Sequence, residues 1–133
     1  MSKKTWKMSD QEYVNVMKLS PVERYYYTLK RAADWGYVWS LRSDGGWVLA
    51  QARGHEAIPI WPHPRYAEAC ANGEWGYTQP APIPLKQFIR RWISGAERDG
   101  RLFIVFPIPN GAGVVCEPDR LKADLLVELQ DYE

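Results

Sequence analysis

Residues 57–70, AIPIWPHPRYAEAC, carry a short apolar run through three prolines into a helix, and the segments on either side are read outward from that turn. AIPIW has the composition of a strand, and Pro59 inside it implies an edge position or a bulge, because proline cannot donate to a ladder. Pro62 and Pro64 bracket His63, after which Tyr66, Ala67, Ala69 and Cys70 run helically to a stop at Asn72-Gly73. The stretch reads as a hinge between a hairpin half before it and a helical half after it.

Upstream, Ser9-Asp10-Gln11-Glu12 and Ser20-Pro21-Val22-Glu23 both have the S-x-x-E spacing of a capping box, in which the serine oxygen accepts an early backbone N–H and the glutamate reaches back. The first predicts a helix from Asp10 to Lys18 with Val14 and Met17 on its apolar side. The second, with proline at the first helical position, predicts an amphipathic helix on which Val22, Tyr26, Leu29 and Ala33 recur up to a stop at Gly36. YVWSLR then alternates Tyr37, Trp39 and Leu41 against Val38, Ser40 and Arg42, as a half-buried strand does. Ser43-Asp44-Gly45-Gly46 reverses the chain into WVLAQAR, giving an antiparallel hairpin.

Downstream, GEWGYTQPAPIP has prolines at alternate positions and predicts an extended, polyproline-like strap rather than a regular element. Pro84 to Glu97 predicts a helix with Leu85, Phe88, Ile89, Trp92 and Ala96 on its inner side. RLFIVF is apolar on both faces and predicts a central strand; PIPNGAG turns back into VVC. Pro118 opens a last helix marked by Leu121, Leu125 and Leu129. The order α-α-β-β-β-α-α-β-β-α predicts one α+β domain over residues 1–133, a mostly antiparallel five-stranded sheet covered by helices, with residues 1–8 a flexible tail. Two helices lie between the third and fourth strands, enough for a right-handed crossover that would make that pair parallel.

The chain's 133 residues suit one domain, and a chain of about 150 residues buries roughly two-thirds of its extended surface. The aromatic fraction of 14%, with seven tryptophans, puts much of that burial in large rings. A net charge of +1 supplies no field for recruiting a polyanion or an anionic membrane, so a nucleic-acid partner and a membrane are both disfavoured. The start has lysines without an apolar run, and no eighteen apolar residues occur in succession, which predicts an unexported, cytoplasmic protein. Cys70 and Cys116 then read as free buried thiols.

No catalytic or metal constellation emerges. His63 and Cys70 are seven apart, roughly 10 Å along a helix, too far to share one zinc ion or to form a nucleophile and base pair. There is no C-x-x-C, H-E-x-x-H, G-x-S-x-G or P-loop, and Asp10, Glu12 and Glu23 have capping roles. No cofactor is expected. Two surfaces remain. Trp61, His63, Arg65, Tyr66, Trp75 and Tyr77 cluster at proline-stiffened bends, a composition typical of interface hot spots; the plainer reading is that Trp61 and Trp75 seal one end of the sheet and His63 caps a helix. Lys86, Arg90 and Arg91, followed by Arg98 and Arg101, form a basic patch beside Trp92, whose plainer reading is a solvated helix face. The expected partner is another protein, in a regulatory or immunity-like role, with a homodimer left open. The alternative is a small ligand or nucleotide held by the aromatic corner around Trp61 and His63.

VERYYYTLKRAADWGYVWSL, DGGWVLA, IPIWPHPRYAEACANGEW, PLKQFIRRWI, FPIPNGAGVV and PDRLKADL together resemble the bacterial family of domain of unknown function 2750, over nearly the whole chain and most specifically at WPH…YA…C…GEW. The resemblance implies a small, stand-alone bacterial protein and no assigned reaction. Pro84 departs from it where a serine-like helix cap is expected. The order of strand, two helices, hairpin and C-terminal helix is more distantly similar to secretion-associated SseB-type domains, a likeness of fold alone.

Overall fold

Two serines start the first two helices of the computed structural model, which describes residues 3–130. Ser20 Oγ accepts the Glu23 N–H at 3.1 Å and the Glu23 carboxylate accepts the Ser20 N–H at 3.0 Å, so helix α2 (Pro21–Trp35) opens on a complete capping box. It closes on Gly36, whose φ of 79° favours glycine. Helix α1 (Asp10–Met17) has only the serine half of its box. Glu12 turns away instead to accept the Tyr27 hydroxyl at 2.5 Å and the Arg31 guanidinium at 3.1 Å, tying α1 to α2.

Among the described residues, the expected five-stranded sheet is replaced by seven strands in two sheets. Strands β1 (Tyr37–Ser43), β2 (Gly46–Trp47) and β5 (Gln79–Pro84) form an antiparallel sheet in the order β2-β1-β5. Strands β3 (Ala50–Ala52), β4 (His55–Ile60), β6 (Leu102–Val105) and β7 (Val114–Cys116) form the second, in the order β3-β4-β6-β7, with β4 and β6 parallel across the long crossover. Between the sheets, Trp39 and Trp61 exchange both backbone hydrogen bonds at 2.8 Å. WVLAQAR therefore cannot stay one strand. Its first residues pair with β1 and its last with β4, and the break falls at Val48 and Leu49. Strand β1, read as half-buried, is covered on both faces from Val38 to Leu41 because it is the centre of its sheet.

The two proline problems have one solution. Pro80, Pro82 and Pro84 oppose Leu41, Trp39 and Tyr37. Trp39 directs its N–H and C=O toward Trp61, away from β5, so the prolines occupy the non-hydrogen-bonded positions and lose no ladder bond. Gln79, Ala81 and Ile83 carry the pairing, and the predicted strap is instead an edge strand. Pro59 lies in an interior strand, but Ile60 directs its carbonyl to Phe106 on the β6 side, so Pro59 faces the other flank, where β3 pairs only with residues 55–57. On that flank its carbonyl accepts the Ser40 hydroxyl at 2.6 Å.

Helix α3 (Pro64–Ala69) follows the hinge, and a short 3-10 turn, Gly73–Trp75, leads to β5. Helix α4 spans 85–99 and is interrupted: Leu85–Gln87 and Ser94–Asp99 are α-helical, while Phe88–Ile93 is π-helical. Pro84 offers no side-chain cap, and the Leu85 N–H is satisfied instead by the Gly36 carbonyl at 2.8 Å. The widened turn shifts the phase of the helix by one residue. Ile93, five residues after Phe88, is fully buried, and Trp92, expected on the inner stripe, is only half-buried. The last helix, α5 (Pro118–Gln130), packs against α2 and α4 through Leu121 and Leu125.

One buried cation secures the β6–β7 loop. Arg24 on α2 is 3% exposed and donates to three carbonyls, those of Leu19 (2.6 Å), Phe106 (3.2 Å) and Ala112 (2.7 Å). Phe106 itself has φ 57°, a strained value for a non-glycine residue, held by its N–H bond to Ile60 and the Arg24 bond to its carbonyl. Among the described residues no helix is long and apolar enough to cross a membrane.

Candidate functional site

The hinge residues are drawn inward. Trp61 is fully buried, donates its indole N–H to the Pro107 carbonyl at 2.8 Å, and meets the half-buried Trp75 edge-on at 6.4 Å. His63 is the N-cap of α3: Nδ1 accepts the Arg65 N–H at 3.1 Å, which leaves the proton on Nε2, 2.8 Å from the Trp6 carbonyl. Burial lowers its pKa, against the opposing effect of the Trp6 bond. Trp6 lies edge-on to His63 at 4.8 Å, contacts Trp35, and carries the Arg31 guanidinium 4.6 Å over its ring, so the segment around it belongs to the aromatic cluster; of the expected tail, residues 1–2 lie outside the described residues.

Tyr66 is buried, stacked on Tyr13 at 5.3 Å, and its phenol is pushed up by burial and then by Tyr27. Arg65 covers Tyr13 at 4.1 Å and pairs with Asp10 at 3.0 Å. Tyr77 alone of this group is largely exposed, at 71%, beside a shallow hollow of about 780 Å³ formed with Arg42, Asp44 and Gln79, none of whose lining residues is buried. The predicted cluster is thus mostly an internal brace, with Tyr77 apart from it.

Chemistry at the thiols is suppressed. Cys70 and Cys116 are free and buried, and burial pushes them up to about 11 and about 12, so neither supplies a thiolate near neutral pH. Among the described residues no three of His, Cys, Asp and Glu come together to hold a metal ion.

A different place has the build of a binding site. A cleft of about 400 Å³ opens between the 47–49 segment and helix α4, with Val48, Ile58 and Ala96 as a buried apolar floor. Trp47 and Trp92 meet edge-on at 4.7 Å to form one wall, and Leu49, 37% exposed, stands on the same side as Trp47. The π-helical turn builds this wall by rotating Trp92 out of the core. Gly95 also lines the cleft: an added Cβ would meet nothing closer than the far end of Arg98 at 3.5 Å, so backbone geometry does not require glycine there.

The rim is charged. Arg101 is engaged by Glu56 at 3.0 Å and Asp99 at 3.4 Å, and Asp99 also takes Arg98 at 3.3 Å. Arg91 lines the cleft and makes no ion pair or hydrogen bond among the described residues. All three residues of the basic patch are exposed on α4; Arg91 lines the cleft, while Lys86 and Arg90 are not among its lining residues. Sequence reasoning missed this site because its wall depends on the π-helical phase shift; the legible signal was Gly95 inside a helix that would be more stable with alanine.

No curated protein matches the chain at a significant level of sequence similarity. Residues 25–125, from Tyr25 early in α2 to Leu125 on α5, match the family described as protein of unknown function (DUF2750), and the chain belongs to that family.

Proposed function

We propose that the protein is a non-catalytic protein-interaction module that engages its partner through the cleft between the 47–49 segment and α4. The observation that carries this reading is an open cleft whose apolar floor lies beside a wall of two tryptophans in contact, with Gly95 keeping it unfilled. A pocket for a small ligand encloses most of its guest, whereas an open cleft of this size suits one large ring or two aliphatic side chains presented by another protein's surface. The alternative, a small ligand at Trp61 and His63, has little to work with, because the indole N–H and both imidazole nitrogens are already bonded inside the protein. A nucleic-acid role for the basic patch is weakened by the engagement of Arg98 and Arg101 with Asp99 and Glu56.

The test is a selection from a library of acetylated heptapeptides with a central tryptophan or leucine and randomised flanks. Peptides should be enriched on the native protein and lost on Gly95→Leu, which fills the cleft from a helix-compatible position, while Tyr77→Ser retains them. An empty selection, or peptides that bind Gly95→Leu as well, would sink the reading.

A further inference from the structure

We infer that the partner segment received by the cleft is acidic, with an Asp or Glu carboxylate next to the inserted apolar side chain and anchored by Arg91. This rests on the cleft being the recognition surface and adds the charge that its occupant must carry.

The charges around the cleft do not balance. Arg98 and Arg101 are matched by Asp99 and Glu56, so that group is neutral as a unit. Two guanidinium groups near the tryptophan wall have no anionic partner among the described residues: Arg91, and Arg42, which lies 5.3 Å over the Trp47 ring. An unmatched cation beside an apolar floor favours a ligand that brings its own anion, since that anion gains a charge-assisted hydrogen bond next to the apolar contact. A guanidinium fork matches a carboxylate in a bidentate geometry.

The same balance argues against a polyanion. Asp99 stands at the cleft edge, where a dianionic phosphate would feel its repulsion, and the chain's net charge of +1 gives no extended basic field. A monoanionic carboxylate meets Arg91, the unmatched cation that lines the cleft, and brings less charge toward Asp99 than a dianion does.

The peptides recovered by the selection described above decide the matter, with affinities measured by fluorescence anisotropy. Enriched sequences should carry Asp or Glu within two positions of the central residue. Replacing that residue by its amide should weaken binding about tenfold, Arg91→Gln should weaken the acidic peptide by a similar factor, and Arg91→Gln should leave the amide peptide unchanged. Binding of the acidic peptide should also fall as salt rises. Peptides that lack acidic residues yet are lost on Gly95→Leu would overturn the charge requirement while leaving the cleft as the recognition surface. Binding that survives Gly95→Leu would remove the cleft itself. N-acetyltryptophan binding as tightly as the peptide, and with the same dependence on Arg91, would reassign the cleft to a small carboxylate and overturn the protein partner.

Discussion

Gly95 and Gly113 would respond to an added Cβ in opposite ways. At Gly95 the space is open and φ lies outside the left-handed region, so Gly95→Ala should stabilise the fold by about 0.5–1 kcal/mol in urea unfolding, through helix propensity alone. At Gly113 an added Cβ would lie 2.5 Å from the Val105 carbonyl oxygen and 2.7 Å from the Pro107 nitrogen, both backbone atoms that cannot swing aside. Gly113→Ala should therefore cost about 2 kcal/mol or more by the same measurement; no loss would mean the loop yields where the structure shows it braced.

His63 links stability to pH. Its folded pKa is lowered below the ordinary 6.5, chiefly by burial, with Arg65 and Arg31 acting in the same direction and the Trp6 bond and Glu12 against it. The unfolded chain therefore binds the proton first as pH falls. The contribution of neutral His63 is complete above about pH 6.5 and is lost below it, down to the folded pKa. The native protein should lose stability between pH 7 and 5.5 more steeply than His63→Gln, whose side chain does not titrate; equal slopes would show that His63 is not held neutral.

At the scale of elements, β5 is an edge strand whose outer side lacks N–H donors wherever proline stands. Replacing Pro82 by Val should leave the melting temperature within a few degrees of the native protein but restore an outward donor on an exposed edge, and light scattering at high concentration should rise. Local chemistry made several elements legible in advance: the Ser20–Glu23 box, the Gly36 stop, the hairpin at Asp44-Gly45 and the parallel crossover all follow from residues within a few positions or from connection length. Elements defined by distant pairing were not legible. QPAPIP is a strand because Trp39 turns its polar groups toward Trp61, and WVLAQAR is split because two different strands share it. The π-helical turn was equally hidden, since a 3.6-residue period put Trp92 on the inner stripe and did not include Ile93. The candidate site depended on that turn, which is why aromatic composition pointed to the hinge instead, where the rings are largely internal.

For the whole molecule, one buried cluster runs from Leu29 on α2 through Trp61 and Phe103 to Leu125 on α5, spanning both sheets. Unfolding should accordingly be a single cooperative transition, with far-ultraviolet circular dichroism and tryptophan fluorescence giving the same midpoint; separated midpoints would mean the sheets melt independently. Reductant should not move that midpoint, because both cysteines are free.

Arg24 adds a consequence for how the chain can come into being. Its first acceptor, Leu19, precedes it by five residues, whereas its last, Ala112, follows by 88. During synthesis the guanidinium emerges long before the carbonyl that completes its coordination, and the β4–β6 pairing is delayed in the same way. An N-terminal fragment ending before Ala112 would have to bury a cation it cannot fully satisfy or leave α2 undocked. A chain that stops short of the β6–β7 loop therefore makes a poor folding intermediate, and docking of α2 is expected to be complete only after that loop has cleared the ribosome.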